Sequence, residues 1–313
     1  MLRQDVAPQV MELPQQAVAD PLRLGVRATL SAYLSLTKPR IIVLLLVTTV
    51  PAMMLAAGGM PSIWLVLLTL LGGTLAAGGA NAINCYLDRD IDGVMTRTRE
   101  RPLPAGVIEP ERALIFGASL GIAAFLVLSL AVNLASALLA TAALAFYVLV
   151  YTIWLKRSSP QNIVIGGAAG AMPPLVGWAA VTGGLDWPAV VLFAIIFLWT
   201  PPHFWALALR YRADYARAGV PMLPVVRGER ETLRQIVLYS VLLVGSTLLL
   251  APLANVGPIY LGSALLLGGV FIALAVRLWR TATPRATLAL FGYSLLYLGL
   301  LFAAIGVDQV VTW

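Results

Sequence analysis

The sequence contains a single cysteine and a single histidine, Cys85 and His203, among 313 residues. One cysteine excludes a disulfide framework within the chain, and the shortage of both residue types nearly excludes a zinc site built from them. A bound divalent metal would therefore need oxygen ligands, which favours magnesium, manganese or calcium. We expect Cys85 to be a small packing residue.

Charged residues are also scarce. They make up 11% of the chain, whereas a soluble domain carries about 25%. Hydrophobic residues make up 60%, in runs long enough to cross a bilayer. These runs do not alternate as the strands of a membrane barrel do. The composition predicts an all-α polytopic membrane protein. We expect its helices to form a bundle around a central cavity.

Nine membrane spans are predicted from the apolar runs. They cover residues 41–58, 62–84, 112–131, 134–154, 161–182, 187–209, 233–253, 257–277 and 286–307. Residues 41–313 are therefore predicted to form one transmembrane domain. The proline pairs Pro173–Pro174 and Pro201–Pro202 predict breaks in two of the spans, because proline removes a backbone donor.

The segment before the first span is predicted to have two parts. Residues 1–21 are predicted to be a disordered tail. In residues 22–40 a polar residue recurs every four positions from Arg23 to Ser35, which is typical of an amphipathic helix on a membrane surface. A cleavable signal peptide is not expected, since the first apolar run begins only after forty residues.

The basic residues are confined to one side of the predicted topology. All 21 lysines and arginines lie in the first 40 residues or at the loops after the second, fourth, sixth and eighth spans. By the positive-inside rule these loops and the N-terminus are cytoplasmic, and nine spans place the C-terminus on the opposite side. We expect a cell inner membrane protein that binds no nucleic acid.

The first acidic segment is NAINCYLDRDIDG, residues 81–93, at the end of the second span. If this span continues as a helix to Asp92, then Asn84, Asp88 and Asp92 share one face. Magnesium held by one or two carboxylates and completed by substrate phosphates is a common arrangement. Asp90 points elsewhere. A solvated acidic loop is the alternative, but it does not explain an asparagine at membrane depth.

The second acidic segment, RYRADYARAGVPMLPVVRG, lies in the other long cytoplasmic loop, where Asp214 is the only carboxylate. Guanidinium groups flank it, as suits a phosphate held by arginine as well as metal. The basic candidates on this side include Lys38, Arg40, Arg97, Arg99, Arg101, Arg210, Arg212 and Arg217. The two loops predict a magnesium diphosphate site at the cytoplasmic mouth of the bundle. An isoprenyl diphosphate, whose tail can lie in lipid, would suit it.

The stretch NAINCYLDRDID resembles the first aspartate-rich motif, NxxxDxxxD, of the UbiA-type intramembrane prenyltransferases. Three further blocks, residues 36–40, 151–178 and 199–224, resemble the heme-farnesylating branch of that superfamily. The similarity extends from about residue 30 to the C-terminus. Relatives that prenylate aromatic acids or quinones usually carry a second aspartate in the later motif, whereas Ala218 stands four residues after Asp214 here.

The resemblance implies the reaction of farnesyl diphosphate, heme B and water to give heme O and diphosphate, with heme B as substrate. It implies magnesium, or manganese in its place, at Asn84, Asp88, Asp92 and Asp214. It implies diphosphate contacts from Arg97, Arg101, Lys38, Arg40 and Lys156. Arg212, which flanks Asp214, is a further diphosphate-contact candidate. Partners implied by the resemblance are membrane lipid, a heme A-forming enzyme and assembly factors of heme–copper oxidases.

His203 lies within the branch-specific block WTPPHFW. One interpretation is a structural histidine with its hydrogen bonds satisfied inside the bundle. The other is a catalytic role, either as ligand of the heme iron or as base toward the water that ends the reaction.

Two other functions compete with heme farnesylation. A magnesium-dependent prenyltransferase of a quinone precursor or chlorophyllide would share the acidic site but not the blocks around His203. A secondary transporter would explain many spans with polar groups inside them. It would not explain two clusters of carboxylates and arginines on the same side of the membrane.

Overall fold

The computed structural model describes residues 25–311, which are almost entirely helical and contain no strand. The predicted tail, residues 1–21, and the first three residues of the predicted surface segment lie outside the described residues.

The described chain contains fifteen α-helices and one π-helical segment. They are α1 (Val26–Leu36), α2 (Pro39–Ala57), α3 (Ile63–Leu87), α4 (Arg89–Val94), α5 (Pro110–Ala131), α6 (Leu134–Ala145), the π segment (Phe146–Leu155), α7 (Lys156–Ser158), α8 (Asn162–Ala171), α9 (Pro173–Thr182), α10 (Trp187–Arg210), α11 (Arg212–Arg217), α12 (Leu223–Val226), α13 (Gly228–Leu249), α14 (Pro258–Thr281) and α15 (Pro284–Val310).

Nine helical stretches of residues 25–311 are long and apolar enough to span a membrane, which confirms the predicted number. Seven are the single helices α2, α3, α5, α10, α13, α14 and α15. The fourth, Leu134–Ser158, combines α6, the π segment and α7, and the fifth, Asn162–Thr182, combines α8 and α9. The short helices α4, α11 and α12 lie in the two long loops after the second and sixth spans.

Small residues allow several of these helices to pack with their backbones close together. A Cβ atom on Gly79 of α3 would lie 2.7 Å from the carbonyl oxygen of Gly117 on α5. A Cβ atom on Gly177 of α9 would lie 2.8 Å from the carbonyl oxygen of Thr49 on α2. These glycines are therefore required by helix packing, one in the span that leads to the acidic segment.

The two proline pairs have different effects. The fifth span is divided at Met172, and Pro173 begins α9, as predicted. By contrast, α10 runs from Trp187 to Arg210 with both Pro201 and Pro202 inside it, so the predicted break in the sixth span is wrong. Prolines are tolerated within a membrane helix when neighbouring helices and hydroxyl side chains support the backbone. Pro201 and Pro202 remove the donors that would otherwise face the carbonyls of Phe197 and Leu198.

Candidate active site

The face expected for Asn84, Asp88 and Asp92 is present, although the helix that carries it is interrupted. α3 ends at Leu87, Asp88 has φ −93° and ψ 6°, and α4 begins at Arg89. The assumption of one helix reaching Asp92 is therefore wrong. The backbone amides of Asp88 and Asp92 nevertheless donate to the carbonyls of Asn84 and Asp88, at 2.9 and 2.8 Å. This preserves the four-residue repeat across the interruption.

All three polar side chains are buried. The amide nitrogen of Asn84 donates to Oδ2 of Asp88 at 2.7 Å. It also lies 3.1 Å from the hydroxyl oxygen of Thr152, in the π segment. Asn84, Asp88 and Thr152 are therefore linked by hydrogen bonds, and the burial of all three acidic-face side chains excludes the solvated-loop alternative for them.

Each of these three acidic-face side chains has a cationic partner. Nζ of Lys156 contacts Oδ2 of Asp88, and Nη1 of Arg101 lies 2.7 Å from Oδ2 of Asp92. Nζ of Lys38 lies 2.7 Å from Oδ1 of Asn84. We use the name acidic site for Asn84, Asp88 and Asp92 together with their cationic partners Lys38, Arg101 and Lys156. Its cations come from three separate parts of the chain.

Lys38 occupies an unusual backbone conformation, with φ 54° and ψ 62°, between α1 and α2. This left-handed region costs a non-glycine residue roughly 1–2 kcal/mol, and such strain is often found at functional sites. Pro39, the first residue of α2, further restricts the residue before it. Burial lowers the pKa of Lys38 to about 8. The strained turn directs its ammonium group to Asn84.

Asp90 lies outside the acidic site. Its side chain is 62% exposed and accepts hydrogen bonds from Nη1 and Nη2 of Arg157 at 2.7 and 2.8 Å. The Arg157 bonds lower the pKa of Asp90 to about 2. The same Nη2 donates to the carbonyl of Leu87 at 2.8 Å, so Arg157 also supports the interrupted helix.

Asp214 joins the two long loops. It is buried in α11, and its Oδ1 accepts from the hydroxyl of Thr96, in the first loop, at 3.2 Å. Arg217 contacts the same carboxylate oxygen and donates to Thr96 at 3.0 Å. The structure therefore brings the two long loops into contact and pairs Asp214 with Thr96 of the first loop.

The remaining basic candidates are less closely engaged. Arg97 lies over the ring of Tyr211 at 5.6 Å and close to Tyr215, whose pKa is raised by burial and lowered in part by this guanidinium group. Arg40 and Arg212 are exposed, and neither makes a side-chain hydrogen bond or ion pair within residues 25–311. Of the six predicted diphosphate contacts, Lys38, Arg101 and Lys156 therefore lie in the acidic site itself.

The donor set fits a magnesium ion that shares its ligands with a substrate. Oδ1 of Asp88 is buried without a hydrogen-bond partner, and Nη2 of Arg157 lies 3.9 Å from it. Within residues 25–311, no three histidine, cysteine, aspartate or glutamate side chains are grouped closely enough to hold a metal alone. One or two carboxylates completed by diphosphate oxygens are the usual magnesium environment.

His203 is fixed by α15, two helical turns before the loop end of α10. Its Nδ1 lies 2.6 Å from the hydroxyl oxygen of Ser294, which itself donates to the carbonyl of Phe291 at 2.7 Å. The imidazole stacks on Trp199 at 4.3 Å and on Phe291 at 4.8 Å. The Ser294 hydroxyl that donates to Phe291 can accept from Nδ1, and in that tautomer Nε2 is the ring nitrogen left to accept a proton or bind a metal.

The family model described as the UbiA prenyltransferase family matches residues 45–305. The chain belongs to this family. Protoheme IX farnesyltransferase of Symbiobacterium thermophilum is 59% identical over 278 residues, which cover 88% of this chain and 93% of that protein. Proteins of the same name from Frankia alni and Gloeobacter violaceus are 56% and 57% identical, covering 91% and 90% of this chain and 99% and 93% of their own.

Solved structures share the fold of this UbiA family member. A structure of digeranylgeranylglyceryl phosphate synthase matches with a TM-score of 0.74 at 22% identity, covering 90% of this chain and 99% of that one. A UbiA homolog from Archaeoglobus fulgidus bound to DMAPP and Mg²⁺ matches with a TM-score of 0.58 at 19% identity, covering 88% and 99%. The predicted all-α membrane fold is confirmed.

Sequence reasoning missed the π segment of this UbiA family member. Its Thr152 meets Asn84, and its Tyr147 and Tyr151 rings stack at 5.3 Å. The wider turn of a π-helix allows the Thr152 hydroxyl to reach the carbonyl of Tyr147, five residues earlier, at 2.9 Å. The sequence contains only a weak indication of the role of Thr152, which is a hydroxyl residue in an apolar span, four residues before Lys156.

Proposed function

We propose that this protein transfers the farnesyl group of farnesyl diphosphate to a vinyl group of heme B, with addition of water, to give heme O and diphosphate. The buried acidic site, in a chain more than half identical to proteins named protoheme IX farnesyltransferase, carries this proposal. A carboxylate and amide face surrounded by three cations matches the charge pattern of a metal diphosphate.

In the first step the C–O bond between the farnesyl group and diphosphate breaks. Lys38, Lys156 and Arg101 bind the leaving oxygens and stabilise their growing negative charge, with Arg97 at the loop edge. Asp88 and Asp92 orient these cations and, with Asn84 and Asp214, would hold magnesium. When bound, magnesium supplies Lewis-acid stabilisation of the leaving diphosphate. Manganese prefers the same oxygen ligands as magnesium and could occupy the same position.

In the second step C1 of the farnesyl cation bonds to the terminal carbon of the vinyl group. The positive charge moves to the vinyl carbon attached to the porphyrin, where a water molecule adds. The water loses one proton, and the hydroxyethylfarnesyl side chain of heme O remains. An apolar bundle interior keeps other water away from the cation until the new C–C bond has formed.

His203 is the proposed base for that proton. Its Nδ1 is held by Ser294 and its ring lies between Trp199 and Phe291, so its orientation is fixed. The free Nε2 could accept the proton directly, or bind the heme iron and place the macrocycle.

We also propose the cellular setting. The one-sided distribution of basic residues supports a cell inner membrane protein with the acidic site and N-terminus facing the cytoplasm and the C-terminus opposite. A heme A-forming enzyme and assembly factors of heme–copper oxidases would receive the product.

The decisive experiment incubates purified protein in lipid with heme B, farnesyl diphosphate and magnesium, and identifies products by mass. Heme O and diphosphate should appear in equal amounts, and chelation of the metal should stop both. Transfer of farnesyl to a quinone precursor or chlorophyllide, with none to heme B, would reject the proposed acceptor. Absence of diphosphate release with all three acceptors would reject prenyl transfer.

A further inference from the structure

A groove of about 520 Å³ lies at the loop end of α13 and α14 and shares no residue with the acidic site. Its lining residues are Glu229, Arg230, Leu233, Trp279, Arg280 and Ala282. We propose that this groove binds the phosphate headgroup of an anionic phospholipid from the surrounding bilayer.

The groove lies at headgroup depth. α13 begins at Gly228 and α14 ends at Thr281, so the lining residues occupy the first turns of one membrane-length helix and the end of another. Trp279 is 51% exposed in the last turns of α14. Tryptophan is enriched at the boundary between hydrocarbon and water, where its ring can lie beside the acyl region of a lipid.

The charge of the groove suits a monoanionic phosphodiester. Arg230 and Arg280 are both exposed, and within residues 25–311 neither makes a side-chain hydrogen bond or an ion pair with a carboxylate. Glu229 offsets one of the two positive charges, leaving one. Guanidinium groups bind phosphate oxygens in pairs of parallel hydrogen bonds, and basic pockets between membrane helices favour anionic lipids.

The apolar part of the lining favours a lipid over free phosphate. Leu233 is a buried residue of the lining, and the exposed side chain of Trp279 extends the apolar surface. Free phosphate would use the two arginines alone. A phospholipid would use the arginines for its headgroup and the apolar residues for the start of its acyl chains. α14 ends at Thr281, and the backbone of the next residue, Ala282, is in the left-handed region with φ 47°.

Fluorescence of the full-length protein in detergent micelles can test this site. Brominated phosphatidylglycerol quenches tryptophans that it contacts, and brominated phosphatidylcholine is the neutral comparison. We expect phosphatidylglycerol to quench at about tenfold lower mole fraction, as two nearby arginines would give. The chain has eight tryptophans, and Trp279→Phe should remove the component that responds selectively to phosphatidylglycerol. Millimolar inorganic phosphate should not reverse the quenching.

Two matched double variants distinguish lipid binding in this groove from a general effect of removing positive charge. Arg230→Gln with Arg280→Gln should abolish the preference for phosphatidylglycerol. Arg277→Gln with Arg285→Gln removes the same charge from exposed positions outside the lining and should keep the preference. Equal quenching by both lipids, equal loss in both double variants, or reversal by phosphate would overturn the proposal. None of these outcomes depends on the proposed farnesyl transfer.

Discussion

Nδ1 of His203 lies 2.6 Å from the hydroxyl oxygen of Ser294, and this contact joins α10 to α15. One turn earlier on α10, Nε1 of Trp199 donates to the carbonyl of the same serine at 2.7 Å. Two side chains spaced four residues apart therefore converge on one residue of the last span. This gives a structural role to Trp199, and Nε2 of His203 makes no hydrogen bond within residues 25–311.

The contact predicts different losses for two substitutions. His203→Ala should reduce the rate of heme O formation by at least 100-fold, since a general base typically contributes that much. Ser294→Ala keeps the carbonyl that Trp199 needs but frees Nδ1, so we expect a loss of about tenfold, as for other residues that orient a histidine. Product mass and thermal unfolding check both variants. Unchanged heme O formation in His203→Ala would remove the proposed role.

Two neighbouring aspartates offer a second test. Asp88→Asn removes the buried carboxylate that contacts Lys156, and heme O formation should fall at least 100-fold, because the diphosphate site loses its central anion. Asp90→Asn removes only an exposed ion pair with Arg157, and such pairs contribute about 0–1 kcal/mol to stability. This variant should therefore keep most of the activity. Equal rates for both variants under saturating farnesyl diphosphate would contradict the site assignment.

The junction of the two long loops predicts a change in mobility. Thr96→Val removes the hydroxyl that donates to Asp214 and accepts from Arg217. We expect faster amide hydrogen exchange in residues 95–101 and 212–220, with a higher KM for farnesyl diphosphate. Thr281→Val, an exposed hydroxyl at the end of α14, is the control and should change neither quantity. Exchange that stays slow in Thr96→Val would show that other contacts hold the loops.

Two glycines in the same helix predict opposite outcomes. Gly79→Ala places a methyl group 2.7 Å from the carbonyl of Gly117, which cannot move without shifting α5. We expect a cost of about 1–3 kcal/mol in stability, measured as a lower midpoint of thermal unfolding. A Cβ on Gly73 meets no atom within 4 Å, so Gly73→Ala should be neutral or slightly stabilising. Matching midpoints in the two variants would contradict the close packing.

The sequence predicted the spans and the acidic face because both depend on local patterns. Apolar length defines a membrane helix, and a four-residue repeat places Asn84, Asp88 and Asp92 together even across the interruption at Asp88. The partners of these residues depend on tertiary packing. Nothing local indicates that Lys38 adopts a left-handed turn or that Thr152 lies in a π-helix.

The continuity of α10 through Pro201 and Pro202 was missed for a similar reason. Proline rules describe a helix in isolation, whereas α10 is packed among other membrane helices, which can support a helix that contains proline. His203 therefore lies within a continuous helix and is fixed by Ser294 of α15.

The cations of the acidic site have a consequence for its ligands. Lys38, Arg101 and Lys156 outnumber Asp88 and Asp92 by one charge, counting the ammonium form of Lys38. A lone divalent cation would meet net repulsion there, while a free diphosphate would meet attraction. The net positive charge of the acidic site therefore favours anions. An inhibitor designed for it should carry a negatively charged head before any metal-chelating group.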